Sequence, residues 1–352
     1  MKILYVIPSL FSTAPNAITL SLARGMMAHG HECEVAYFDS GNDDLPVPCQ
    51  SRQITFRSDI DFGHYDIVHS YGMRPNLFVT LRKKLRHKAK VRFIATCHSY
   101  IFEDFRSLFG RVKGSLLSCL FLLSLRRHDR IVVLSHDAVG YYGRWLDRRK
   151  LVCCFNGVAL RQGQIPSEDH ARIVAFKGDG VLLADICFLD RIKGVDILVG
   201  AMSKLPGKYR LLLIGNGDEE ERLKAQALRE CPGRVLFLET KPEAYRFLEL
   251  IDIFVQTAWS EGFCLSMTEA AMMGRKIVSS DIPGMREKYT DAEVTYFSLQ
   301  GSDEDRREAL AQAVCRADAS TGMAERAREK ALQAFGQEQM IDRYLRIYEE
   351  ME

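Results

Sequence analysis

Two glutamates eight positions apart, Glu261 and Glu269, are the sharpest chemical feature of this chain. They lie in the run Ser260-Glu261-Gly262-Phe263-Cys264-Leu265-Ser266-Met267-Thr268-Glu269, directly after the apolar stretch Asp252–Gln256. The pattern predicts a strand, a loop, then a helix over 265–273. Gly262 would let the backbone approach a ligand closely. The start of the following helix would offer unpaired N–H groups and a positive dipole end, a site suited to a diphosphate. Carboxylates bind phosphate poorly but accept well from hydroxyls. Amides for phosphates beside carboxylates for sugar hydroxyls fit a sugar nucleotide. The same two residues would equally furnish an ordinary surface loop and helix, and their spacing alone does not separate the readings.

Other segments place polar groups at similar strand ends. Asp190-Arg191-Ile192-Lys193-Gly194-Val195-Asp196 follows an apolar run and opens a helix. Lys193 there could neutralise phosphate and stabilise a departing diphosphate, although a helix-start loop with solvated cations would look alike. Ile214-Gly215-Asn216-Gly217-Asp218 is a tight strand-to-helix turn. Asp281-Ile282-Pro283-Gly284-Met285-Arg286-Glu287 closes a later strand, with Glu287 available to support a site. In the first half, His69 and His98 each follow a predicted strand and are expected to face a cleft. Either could donate to a sugar hydroxyl or phosphate, but a lone histidine is more often structural.

The elements that must position these groups alternate along the whole chain. Strands are expected at 2–8, 32–38, 52–57, 66–69, 91–96, 130–134 and 150–155, with helices at 16–29, 74–86 and 111–127. A polar stretch with a proline then suggests a linker. Strands follow at 181–188, 209–214, 234–238, 252–256, 276–280 and 294–297. The helices between and after them are expected at 194–204, 218–230, 242–249, 265–273, 304–317, 321–334 and 338–351. This is an α/β pattern with parallel, doubly wound sheets. It predicts an N-terminal Rossmann-like domain over 1–158, a linker over 159–175 and a second Rossmann-like domain over 176–335. The C-terminal helix, 336–352, is expected to pack back on the first domain.

Length and charge agree with that division. At 352 residues the chain exceeds one ordinary core. Its net charge of +2 hides an asymmetry: residues 1–155 carry 22 Lys/Arg against 13 Asp/Glu, the remainder 26 against 33. Much of the excess falls in 81–150, with 17 basic and 5 acidic residues. An anionic partner or a solvated basic face would each explain it. None of the ten cysteines forms a C-x-x-C pair, so zinc and redox motifs are unsupported and free thiols in a reducing cytosol are expected. No nucleic-acid recognition motif is present, and no G-x-G-x-x-G follows the first strand. The apolar run Leu116–Leu125 is too short to span a bilayer. A cytoplasmic protein, or one peripheral on the inner face of a membrane, is expected.

Taken in order, these segments resemble glycosyltransferase family 4, with the GT-B fold of two Rossmann-like domains facing across a cleft. The resemblance rests on Glu261 and Glu269 as a Glu-x7-Glu element, Lys193–Asp196, Gly215-Asn216-Gly217, Asn156-Gly157-Val158, and Gly284 with Glu287. It implies a retaining transferase that uses a nucleotide-diphosphate sugar, UDP favoured and GDP second, with no cofactor and no bound metal. Glu261 would contact the donor sugar and Glu269 the ribose hydroxyls. The backbone of Gly262 and Phe263, continuing through Cys264 and Leu265, would lie near sugar and phosphate. Lys193 would offset the diphosphate, Gly215 and Asn216 would form the family's glycine turn, and His98 would approach the donor sugar. The departing phosphate would itself deprotonate the acceptor.

Two departures stand out. The family's arginine five positions before the lysine is Phe188 here, leaving Arg191 as the substitute. The family's glycine pair after the first strand is replaced by Ser12-Thr13-Ala14-Pro15-Asn16, so side chains of Ser12, Thr13 and Asn16 would have to contact phosphate. These departures keep a non-catalytic sugar-nucleotide binder in view beside a hexosyl- or N-acetylhexosaminyl-transferase of cell-surface polysaccharide or lipopolysaccharide synthesis. The acceptor, a glycan or lipid-linked molecule, would meet the first domain. There, basic residues beside apolar ones over 81–127 suit an anionic membrane surface, unless 116–125 is a buried core helix.

Overall fold

The computed structural model describes residues 1–41, 44–83, 90–161 and 163–351. Residues 84–89, within the basic stretch read at 81–127, thus lie outside the described residues. Two compact units emerge, residues 1–157 with 336–352, and residues 158–335.

The first unit holds a parallel sheet of β1 (Lys2–Ser9), β2 (Glu32–Asp39), β3 (Gln50–Gln53), β4 (Ile67–Tyr71), β5 (Arg92–Cys97), β6 (Arg130–Val133) and β7 (Leu151–Cys153). Its order is β3-β2-β1-β4-β5-β6-β7. The helices are α1 (Ala14–Ala28), α2 (Met73–Lys83), α3 (Ile101–Phe109), α4 (Arg111–Leu125) and α5 (His136–Tyr142). Near-continuous apolar runs such as Ile3–Ile7, all fully buried, are what a sheet covered on both faces requires.

The second unit repeats the plan. Its helices are α6 (Ser167–Lys177), α7 (Val195–Ala201), α8 (Glu220–Glu230), α9 (Leu265–Met272), α10 (Pro283–Arg286), α11 (Asp303–Ala319) and α12 (Met323–Ala334). Its strands are β8 (Val181–Ile186), β9 (Tyr209–Ile214), β10 (Val235–Leu238), β11 (Ile253–Gln256), β12 (Lys276–Ser280) and β13 (Thr295–Phe297), in the order β10-β9-β8-β11-β12-β13. The chain then returns to the first unit as α13 (Gln337–Glu349), which packs on α1. In both sheets the order reverses between the first strand and the fourth. The crevice at the carboxyl ends of those two strands is where such sheets bind ligands. In the second unit those strands are β8 and β11.

Several elements differ from the sequence reading. The strand expected at 52–57 ends at Gln53, because Ser58 folds back on Thr55 through backbone and side-chain hydrogen bonds of 3.0 and 2.9 Å. The stretch read as linker carries α6, a polar surface helix that buries only Ile173. The segment at 242–249 is a 3-10 helix, Ala244–Leu250, entered through Glu243 at φ 50°. Helices α3 and α5 were not foreseen at all.

Candidate donor site at the ends of β8 and β11

Lys193 and Glu261 reach the switch point from opposite strands. After β8, Asp190 accepts a hydrogen bond from the Lys193 N–H at 3.3 Å and starts a short 3-10 turn. Gly194 ends that turn at φ 62°, with its Cα so close to the Thr257 carbonyl that a Cβ would lie 2.4 Å from it. Only glycine fits there. Thr257 Oγ1 donates to the Lys193 carbonyl at 2.9 Å, and the Trp259 N–H donates to Ile192 at 2.8 Å. The loop after β8 is thus laid along the loop after β11. Lys193 Nζ meets Glu261 Oε2 at 2.6 Å.

Both groups of this pair are largely covered. Burial alone would raise the Glu261 carboxyl. The Lys193 charge and hydrogen bond, the nearby Lys288 and the Cys264 N–H outweigh burial and hold it below its usual range. Burial pulls Lys193 down, but Glu261 outweighs it and the ammonium titrates well above its usual range. Both are charged at neutral pH.

The loop then turns through Cys264 in the left-handed region, φ 54°, and enters α9. Cys264, which opens α9, makes no side-chain cap hydrogen bond among the described residues, so the N–H groups of the first turn can meet a ligand. Phe263 is buried against Phe335, 5.7 Å between centroids. Glu269 sits on α9, half-buried, with no side-chain partner among the described residues. Burial lifts its carboxyl to about 7.

The remaining expected residues have other surroundings. Arg191 is exposed and paired with Glu219 at 2.9 Å, a carboxylate that also takes Arg222. It is therefore not assembled with Lys193 and Glu261. Gly215 passes so near Cys187 that a Cβ would lie 1.9 Å from its carbonyl oxygen, and Asn216 Oδ1 accepts from the Thr240 N–H at 2.6 Å. These two shape the turn after β9, and the Asn216 side chain ties that turn to the segment after β10.

In the first unit, Asn16 is buried and its amide donates to Ser9 Oγ at 3.1 Å and to the Phe11 carbonyl at 3.0 Å. Its side-chain N–H groups hold the loop after β1 to the end of that strand. Thr13 precedes α1 without capping it. His98 is half-buried and stacks on Tyr71 at 5.8 Å. Its Nε2 is covered without a partner among the described residues, and burial lowers its pKa to about 4. It is a neutral imidazole. His69, expected at a cleft, is fully buried instead. Its Nδ1 meets Tyr348 Oη at 2.7 Å and its Nε2 meets Thr96 Oγ1 at 2.8 Å. It is a core histidine that ties α13 to the sheet.

Two buried charges escaped the sequence reading. Lys288, 1 % exposed, donates to the Phe263 carbonyl, and burial lowers it to about 8. Asp185 lies within β8 beside Cys187, and burial raises it to about 7. A charged residue inside the apolar run Val181–Ile186 was the available signal for Asp185. Lys288 directly follows Glu287, where the sequence reading stopped.

Residues 16–162 match the family described as Glycosyltransferase Family 4, and residues 184–318 the family described as Glycosyl transferases group 1. An O-antigen biosynthesis glycosyltransferase of Escherichia coli, WclY, is 31% identical over 308 residues, covering 84% of each chain. The chain belongs to the group 1 glycosyltransferases. A lipopolysaccharide core biosynthesis glycosyltransferase of Rhizobium meliloti, LpsE, is 28% identical over 204 residues, 58% of each chain. Among solved structures, sucrose-phosphate synthase from Thermosynechococcus elongatus superposes with a TM-score of 0.81 at 16% identity, covering 99% of this chain and 98% of that one. Anabaena HepE, solved with UDP and glucose, gives 0.79 at 17% identity, covering 99% of both. The fold of this glycosyltransferase is thus GT-B.

Proposed function

We propose that this glycosyltransferase moves a hexose or N-acetylhexosamine, with retention, from a nucleotide-diphosphate sugar to a glycan or lipid-linked acceptor. A UDP-sugar is the preferred donor and cell-surface polysaccharide or lipopolysaccharide synthesis the setting. The observation that carries the donor reading is the Lys193–Glu261 pair at the ends of β8 and β11, with the unpartnered Glu269 on the helix α9 that follows. In this reading Glu261 accepts from donor-sugar hydroxyls and Glu269 from ribose hydroxyls. The free N–H groups opening α9 take the diphosphate, and Lys193 offsets the charge that grows as it departs. The departing phosphate oxygen takes the acceptor proton. HepE crystallised with UDP supports the uridine donor, and the names of WclY and LpsE support the lipopolysaccharide setting.

For the acceptor we favour an anionic bilayer surface met by α4. Its small residues face inward: a Cβ on Gly114 would strike the Phe105 carbonyl at 2.3 Å, and Ser118 donates to Ile101 at 3.1 Å. The close crossing of α3 and α4 turns Val112, Leu116, Leu120 and Leu123 outward, 42 to 76 % exposed. Arg111 and Lys113 are exposed beside them. A leucine stripe flanked by cations suits the headgroup boundary. No helix among the described residues is long and apolar enough to cross a membrane. A peripheral place on the cytoplasmic face fits this reading.

A thermal-shift series with UDP, GDP, ADP and their sugar conjugates tests the donor site. A ligand at 100 times its dissociation constant adds about 2.7 kcal/mol. One base family should stabilise the wild type, and Glu269→Ala should lose the effect. No shift with any nucleotide at millimolar concentration would remove the reading.

A further inference from the structure

The Lys193–Glu261 pair poses a problem of charge. In the donor reading, on which this inference rests, Lys193 must serve the diphosphate, yet here its ammonium is held by Glu261 at 2.6 Å. When it turns to the phosphates, a covered carboxylate loses its cation. An unpaired buried charge is costly. A second cation already stands behind the loop. Lys288 is buried immediately after α10, its Nζ 4.2 Å from the centre of the Phe263 ring. It donates to the Phe263 carbonyl, and its field reaches Glu261. Its ammonium lies over the rings of Phe263 and Tyr289.

We propose that Lys288 is the standing counter-cation of Glu261, a positioning residue that keeps this carboxylate ionised and the Glu261–Leu265 turn in place when Lys193 moves to the donor diphosphate. Its role is indirect, because its ammonium is shut off from solvent and reaches the donor only through Phe263 and Glu261. The charged or titratable groups that act on Lys288 are Glu261 and Cys264 from the donor loop and Glu287 from its own segment. Lys330, on α12, lies over the same Tyr289 ring but is paired with Glu293 at 3.6 Å. The lowered pKa of Lys288, about 8, places the loss of this charge just above neutrality.

The test is a double-mutant cycle read by UDP binding calorimetry, with GDP as the second probe. Lys288→Met removes charge and donor together, while Lys288→Gln keeps a donor for the Phe263 carbonyl, and melting curves confirm that each is folded. At pH 7.5 both variants should bind the nucleotide about tenfold more weakly than wild type. In a Glu261→Gln background, where no carboxylate needs a cation, the same Lys288 changes should cost less than twofold. Wild-type affinity should fall as the pH rises through 8 to 9, and this fall should vanish in Lys288→Gln. Equal losses in both backgrounds, or an unchanged pH profile in Lys288→Gln, would make Lys288 a structural residue only and overturn the proposal while leaving the donor site standing. A wild type that binds neither nucleotide would overturn the donor site, and this inference with it.

Discussion

At the scale of single residues, Glu269 makes the most direct prediction. Burial raises its carboxyl to about 7, so it is mostly protonated at pH 6 and mostly ionised at pH 8. In the proposed donor reading, the ionised form is the better acceptor for the ribose hydroxyls. UDP affinity should therefore strengthen between pH 6 and 8 in the wild type and stay flat over that range in Glu269→Gln, as titration calorimetry would read it. The folded-state pKa lies above the unfolded one, so the neutral form is favoured by folding. That contribution to stability is full below the unfolded value, near 4.5, and is lost as the pH rises through about 7. Nucleotide binding and stability should thus respond to pH in opposite senses. Lys193→Met should lower release of nucleotide diphosphate from the donor about 100-fold, the scale of removing one group that stabilises transition-state charge. It should also destabilise the fold by about 2 kcal/mol, since Glu261 is left covered and without its nearest cation. The spacing of Glu261 and Glu269 was legible in the sequence because both sit on one loop and helix. The contact of Lys193 with Glu261 was not, because it joins residues 68 positions apart. Lys288 was illegible for a related reason: nothing local distinguishes a buried lysine from a solvated one.

At the scale of elements, strands were easier to read than what lies between them. Runs such as Ile3–Ile7 and Leu211–Ile214 are apolar without alternation because both sheet faces are covered, and they read as strands wherever they occur. Helix α6 was read as linker because a surface helix with one buried residue has no apolar face to betray it. Helix α4 inverted the usual rule. Its leucines suggested a buried core helix, and Phe121, Leu122 and Leu125 are buried, but the tight approach of α3 at Gly114 and Ser118 leaves Leu116, Leu120 and Leu123 turned out to solvent. That inversion yields a prediction. Leu116→Glu with Leu120→Glu should leave the melting temperature within about 2 °C, since exposed changes cost little. It should abolish flotation with anionic vesicles at low salt. A double variant that still floats, or a wild type that never does, would remove α4 as the membrane surface.

At the scale of the whole chain, the order of the sequence and the division into units do not coincide. After Phe335 the chain leaves the second unit, and α13 completes the first. Met340, Ile341, Tyr344, Ile347 and Tyr348 are buried there. Tyr348 bonds His69, Tyr344 bonds Thr96 at 3.1 Å, and the Arg92 guanidinium donates to the Met351 carbonyl at 2.7 Å. Five such side chains, each contributing roughly 1.5–3 kcal/mol, supply on the order of 10 kcal/mol. That is comparable to the entire stability of an ordinary domain. Its loss would also leave the fully buried His69 Nδ1 with Tyr71 Oη, at 3.1 Å, in place of the shorter contact to Tyr348. A chain ending at Phe335 should therefore keep a cooperative second unit, while the first becomes susceptible to proteolysis within residues 1–157. Limited proteolysis with mass mapping separates this from uniform destabilisation, in which both units would be cut at similar rates. Adding a peptide of residues 336–352 in trans should restore protection to the first unit, because the lost contacts are packing and hydrogen bonds that need no covalent link. Failure of that rescue, with the first unit still folded in the truncated chain, would show that α13 is dispensable to it.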